Sequence, residues 1–233
     1  MKAILLHHAG GDKYAYRHLQ QSLLPEISGV AIELPGRGDR FSEPLLYSIE
    51  EMLEDVFRQI NNELTEEYIL VGMSMGAVLA FLLTHWLNEK NLPMPSAVFL
   101  ASRLPFTHYE TRENLAEWSS DAFWEFIVAY DARSATIAAH AELRELVEPV
   151  LRADFSAMQH FDRKFTGLVP LQVPCYIMNG KEDVKLYDAT RIKEWNNYFA
   201  GTVEYSLFDG GHFFLYENDE VAAYIKSSMK GEK

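Results

Sequence analysis

The sequence predicts an α/β fold: a mostly parallel central sheet with helices on both faces and one α-helical insertion. Three observations predict it. Short β-rich runs alternate with longer segments of helical periodicity, the pattern of successive strand–helix units. The runs around Leu70 and Phe99 are almost continuously apolar, as strands covered on both faces must be. Between about Arg103 and Lys164 the alternation stops, and helical segments such as Asp121–Tyr130 and Ala141–Leu151 follow one another. The simplest partition is a single domain over residues 1–233 with an insertion at 103–164.

Strands are expected near Ala3–His7, Val30–Leu34, Tyr68–Val71, Ala97–Leu100, Cys175–Met178 and Val203–Leu207. The first begins in Met1-Lys-Ala-Ile-Leu-Leu6, whose apolar run is shorter than the roughly 7–15 residues of a secretory leader. The first clear helix carries Ile49, Met52, Leu53, Val56, Ile60 and Leu64 at three- and four-residue steps, one apolar stripe. The most apolar later stretch, Val78–Leu87, is broken by Thr84 and His85 and falls short of the roughly 18 residues of a membrane span. Phe123-Trp-Glu-Phe126 and the stretch from Phe155 to Phe165 give the insertion apolar surface to pack onto the main body.

Composition narrows the function classes. The chain of 233 residues carries 21 Lys and Arg against 34 Asp and Glu, a net charge of −13, which disfavours nucleic acid and anionic membrane as partners. Its hydrophobic fraction of 48% is that of an ordered globular chain. The one cysteine, Cys175, has no intrachain partner and reads as a buried strand thiol, so a cytoplasmic location is expected.

The strongest local signal is Tyr68-Ile-Leu-Val-Gly72-Met-Ser74-Met-Gly76, an apolar strand running through G-x-S-x-G into a helix-forming run. That is the setting of a nucleophile elbow, whose sharp turn needs small residues at Gly72 and Gly76. Ser74 is thus the candidate nucleophile. A serine hydroxyl needs a base, and the base needs a group that fixes its tautomer. On this scaffold the chain order is serine, acid, histidine, each beyond a strand end. Asp183 follows Tyr176-Ile-Met-Asn-Gly180, and His212 follows the last strand in Asp209-Gly-Gly-His-Phe213. Glu182 competes with Asp183, while Asp209 reads as a turn residue. His85, His108, His140 and His160 fall in helical or insertion segments, where surface or capping roles are expected. Backbone donors for a developing oxyanion are expected from Met75, which follows the nucleophile, and from the loop His7-His8-Ala9-Gly10-Gly11. Ala9 is the first choice there and Gly10 the alternative. Leu34-Pro-Gly-Arg-Gly38 lacks the third glycine of a dinucleotide fingerprint and reads as a turn, and no His/Cys/Asp/Glu spacing suits a metal. No cofactor and no metal are expected.

Taken together, these residues resemble the type II thioesterases that accompany nonribosomal peptide and polyketide synthases, over nearly the whole chain. The resemblance rests on His8-Ala-Gly-Gly11, Leu34-Pro-Gly-Arg-Gly38 with Glu43-Pro44, Gly72-Met-Ser-Met-Gly76, Leu151-Arg-Ala-Asp-Phe155, Gly180-Lys-Glu-Asp183 and Phe208-Asp-Gly-Gly-His-Phe-Phe-Leu215. It implies an α/β-hydrolase with a mobile helical lid that hydrolyses acyl or aminoacyl thioesters from the phosphopantetheine arm of a carrier protein, an editing role. It carries over Ser74, Asp183 and His212 as the triad and Ala9 and Met75 as oxyanion donors. Met73 departs from the family's usual histidine before the serine, a change in packing beside the elbow. The insertion would then be the lid, with Phe123, Trp124 and Phe161 along an acyl and pantetheine channel. Because carrier proteins are usually acidic, a basic patch from Arg37, Arg40, Arg103 or Arg112 would have to offset the net charge. A small-molecule carboxylesterase or lipase, and an inactive module that binds a carrier without turnover, are the competing readings.

Overall fold

A computed structural model of the chain describes residues 1–64, 67–105, 115–164, 168–183 and 188–231. Six strands form one sheet in the order β2-β1-β3-β4-β5-β6. They are β1 (Lys2–Leu6), β2 (Ser28–Ala31), β3 (Tyr68–Met73), β4 (Ala97–Ala101), β5 (Cys175–Gly180) and β6 (Val203–Phe208). Every pairing is parallel, from Lys2 opposite Ser28 at one edge to Gly180 opposite Phe208 at the other. All six expected strands form. The second ends earlier than expected: the Ile32 N–H still bonds the Leu5 carbonyl at 2.9 Å, after which the chain leaves the ladder with Ile32 and Leu34 buried.

Side chains alternate across the pleat, so neighbouring residues of one strand enter different cores. On one face Ile4, Leu6, Leu70, Leu100 and Ile177 pack against α2 (Ile49–Ile60) and α3 (Met75–Glu89). On the other, Ala3, Leu5, Ile69, Val71, Phe99 and Met178 meet α1 (Arg17–Leu23), and the final α7 (Phe214–Glu217) and α8 (Glu220–Lys230). Each fully buried Leu, Ile, Val or Phe contributes about 1.5–3 kcal/mol, so the two layers carry the fold. Helix α2 begins with a capping box in which Ser48 Oγ accepts from the Glu51 N–H and Glu51 returns the bond, and of its stripe Ile49, Met52, Val56 and Ile60 are buried and Leu53 half-buried. Cys175 is buried on β5 and Met73 is buried in the second core.

Between β4 and β5 lie α4 (Ser120–Tyr130), the single-turn α5 (Ala135–Ala138) and the long α6 (Ala141–Lys164). Leu115, Phe123, Trp124, Ile127 and Leu151 form a small core of the insertion's own. Helix α6 runs on through Pro149, well past the expected Leu151, because its later turns bury Ala157 and Met158 in the main core. It is the one described helix that belongs to both the insertion core and the sheet core.

Candidate active site

In a parallel sheet all carboxyl ends lie along one edge, and a crevice opens where the strand order reverses, here between β1 and β3. Ser74 leaves β3 there with φ 54° and ψ −109°, a region an L-residue adopts only when its surroundings enforce it. Its N–H donates to the Ala101 carbonyl at 2.9 Å, and its carbonyl accepts from Ala77 at the start of α3. The flanking glycines are required by contact. A Cβ at Gly72 would collide with the backbone of Gly76, and one at Gly76 with the carbonyls of Leu6 and His7.

Asp183 lies beyond β5 and His212 beyond β6, and the structure joins them, Asp183 Oδ2 to His212 Nδ1 at 2.8 Å. Asp183, the acid favoured from sequence, is buried, whereas its competitor Glu182 faces solvent. Asp209 pairs with Lys181 at 2.5 Å, away from the imidazole. The His212 backbone is held from beneath by Ser102, whose hydroxyl donates to the His212 carbonyl at 2.8 Å and whose own φ is 50°. The Tyr130 ring stands edge-on to the imidazole with centroids 5.3 Å apart.

The loop after β1 supplies the facing wall. The Gly10 N–H donates to Asp154 Oδ2 at 2.7 Å, so that group is already engaged. The Ala9 and Met75 N–H groups have no acceptor among the described residues, and both residues border the cavity. The Tyr216 hydroxyl is hydrogen-bonded to His8 Nδ1 at 2.8 Å and accepts the His8 N–H at 3.3 Å, tying this loop to the segment that carries His212. Burial, reinforced by the neighbouring His7 and His212, holds His8 well below the ordinary imidazole range, so it is neutral. Burial likewise lowers His7 to about 4.

These groups open onto a cavity of about 500 Å³ whose floor is His8, Ala9, Ser74, Met75 and His212. Its walls come from the insertion, with Trp124, Ile127, Tyr130, Leu151 and Phe155, and Arg133 stands at the rim over the Phe213 ring. Of the three aromatics expected along the channel, Trp124 borders it. Phe123 turns into the insertion core, and Phe161 packs against the sheet core below, because successive helical positions face different sides. Sequence reasoning missed Ser102, Tyr130, Asp154 and Tyr216. Two of them carried a local signal: Asp154 lies in Leu151-Arg-Ala-Asp-Phe155, and Tyr216 follows His212 by four residues.

The expected basic patch does not form from the residues named for it. Arg37 is 5% exposed and locked in a bidentate pair with Asp154 at 2.6 and 2.9 Å, and Arg103 is buried beside the cavity. Arg40 is neutralised by Asp55 at 2.6 Å and by Glu43. Arg112 lies outside the described residues, as does His108. His85 also departs from expectation: α3 is covered on nearly all sides, so His85 is buried, its Nε2 without a partner among the described residues. Among the described residues no helix is long and apolar enough to cross a membrane.

The family model for the thioesterase domain matches residues 2–229. The probable anguibactin biosynthesis thioesterase AngT of Vibrio anguillarum is 28% identical over 225 residues, 94% of this chain and 87% of that protein. The thioesterase PikA5 of Streptomyces venezuelae is 26% identical over 221 residues, 94% and 76% of the two chains. The fold superposes on RedJ, a thioesterase from the prodiginine biosynthetic pathway of Streptomyces coelicolor, with a TM-score of 0.87 at 27% identity, covering 97% of this chain and 89% of that one. The sheet, the elbow and the match along almost the whole chain agree: this protein belongs to the thioesterase domain family of α/β-hydrolase fold, and is a thioester hydrolase.

Proposed function

We propose that the chain hydrolyses acyl or aminoacyl thioesters on the phosphopantetheine arm of a carrier protein, clearing misprimed or stalled carriers of a nonribosomal peptide or polyketide synthase. Relatives named for the biosynthesis of anguibactin and prodiginine support this setting. The observation that carries the chemistry is the convergence at one cavity of a strained serine, a histidine held by a buried aspartate, and two unengaged backbone N–H groups.

Ser74 Oγ attacks the thioester carbonyl while His212 takes its proton, and the carbonyl oxygen becomes an oxyanion facing the Ala9 and Met75 N–H groups. Collapse breaks the carbon–sulfur bond, and the proton on His212 accompanies the departing thiol. Water then attacks the acyl-serine, giving its proton to His212, which returns it to Ser74 Oγ as the acid leaves. Asp183 keeps the imidazole tautomer with Nε2 free to accept. No cofactor is consumed. Residues 103–164 act as a lid on a single domain, and the acyl group lies against Trp124, Ile127 and Phe155 beneath it.

The test is to trap the intermediate. Wild-type protein mixed with an acyl-loaded carrier and acid-quenched within a single turnover is expected to carry the acyl mass on the peptide containing Ser74, and Ser74→Ala none. Acylation elsewhere, or of neither protein, contradicts the reading.

A further inference from the structure

Helix α6 grips the loop after β1 at one point, and the grip has three parts. Asp154, fully buried, accepts the Gly10 N–H at 2.7 Å. Leu151, one turn earlier on the same helix face, lies so close that any side chain on Gly10 would run into it, and Gly10 has φ 75°. Arg37, arriving from the turn after β2, donates twice to the same carboxylate and once, at 3.4 Å, to the Gly11 carbonyl. Ala9, immediately before Gly10, is thereby oriented with its N–H unengaged at the cavity wall.

We propose that the Asp154–Arg37 pair is a positioning device for the oxyanion loop, through which the docking of the insertion helix α6 sets the direction of the Ala9 N–H. The inference rests on the reading of Ala9 and Met75 as oxyanion donors. Asp154 touches neither substrate nor reacting atoms; it acts through Gly10. By consuming the Gly10 N–H it prevents the loop from rotating that donor inward in place of Ala9. By fixing Gly10 in its left-handed conformation it holds the preceding peptide plane. A buried carboxylate alone would be unfavourable in this place, and Arg37 neutralises it while bracing the far side of the loop. A loop displacement of about 1 Å is enough to cost on the order of 100-fold in rate.

The experiment replaces the whole pair, Arg37→Met with Asp154→Leu, so that no isolated buried charge remains, and compares it with the wild type and Ser74→Ala. The readouts are thermal midpoint, kcat and KM on an acyl thioester, and affinity for an alkylboronic acid, which forms a tetrahedral adduct, against the alkanoic acid product. The expected result is a folded protein with kcat down about 10- to 100-fold and little change in KM. Boronate affinity falls by a similar factor while product affinity is kept. A folded double variant with wild-type kcat and boronate affinity overturns the inference, as does a parallel loss of product and boronate binding. Should the double variant not fold, Asp154→Asn and Asp154→Ala, each combined with Arg37→Met, separate the roles, since both leave the site uncharged and only Asn keeps an oxygen for Gly10. The Asn variant is expected to turn over at least about ten times faster than the Ala variant, and equal rates overturn the inference. Hydrolysis surviving in Ser74→Ala would instead defeat the underlying reading of the site.

Discussion

Gly76→Ala tests how tightly the elbow is built. The new Cβ would stand 2.7 Å from the His7 carbonyl oxygen and nearer still to that of Leu6. Both obstacles are backbone, and β1 cannot retreat because β2 and β3 bond it on either side. Helix α3 must therefore move, by on the order of 1 Å, to restore ordinary contact. That motion breaks close packing along a helix buried on nearly all sides, and overpacking of this kind costs about 1–3 kcal/mol, or roughly 2–12 °C in thermal midpoint for a chain of this size. It also carries Met75, the first residue of α3, away from the cavity wall, and a shift of that size costs about 100-fold in kcat/KM. The assay pairs thermal unfolding with thioester turnover and with the labelling rate of a serine-directed phosphonate. An alanine variant with wild-type stability and turnover would refute the claim that strand–helix contact sets the geometry of Ser74.

Other predictions follow from single contacts. Burial lowers His85 from 6.5 to about 4, so it is neutral in the fold and protonates first in the unfolded chain. Between those pH values the unfolded state holds more protons, and stability falls as pH drops from about 6.5 to 4, by up to about 3 kcal/mol for this residue. His85→Leu should flatten that part of a denaturation-versus-pH curve; an unchanged slope contradicts a buried neutral histidine. Ser102→Ala removes the bond to the His212 carbonyl, which is expected to cost about 1 kcal/mol of stability and to lower kcat with KM nearly constant. Trp124→Ala enlarges the cavity and should shift the acyl preference toward bulkier groups, measured as kcat/KM across a chain-length series.

Much of this was legible in the chain because it is local. Apolar runs mark the strands, and Gly72-Met-Ser-Met-Gly76 announces the elbow, since the steric demand lies within five residues. Asp183 and His212 were reachable because a parallel sheet places each strand end on one edge. What escaped depends on partners distant in sequence. Arg37 looked like a surface cation, and only the fold brings Asp154, 117 residues away, to bury it. The same carboxylate takes up the Gly10 N–H, an engagement that nothing in the glycine-rich loop itself announces. Phe123 and Phe161 sit among aromatics that all looked alike, until helix rotation turned one into the insertion core and the other onto the sheet. Helix α6 outran the expected stop near Leu151 because its later turns bury Ala157 and Met158 in the main core.

The most direct test of the central claim is hydrolysis of an acyl-loaded carrier protein by the wild type and by Ser74→Ala, beside a simple aryl ester. The account predicts carrier-thioester turnover well above the ester rate and abolished by the substitution. Ester turnover without carrier turnover, or carrier turnover that survives Ser74→Ala, would contradict it.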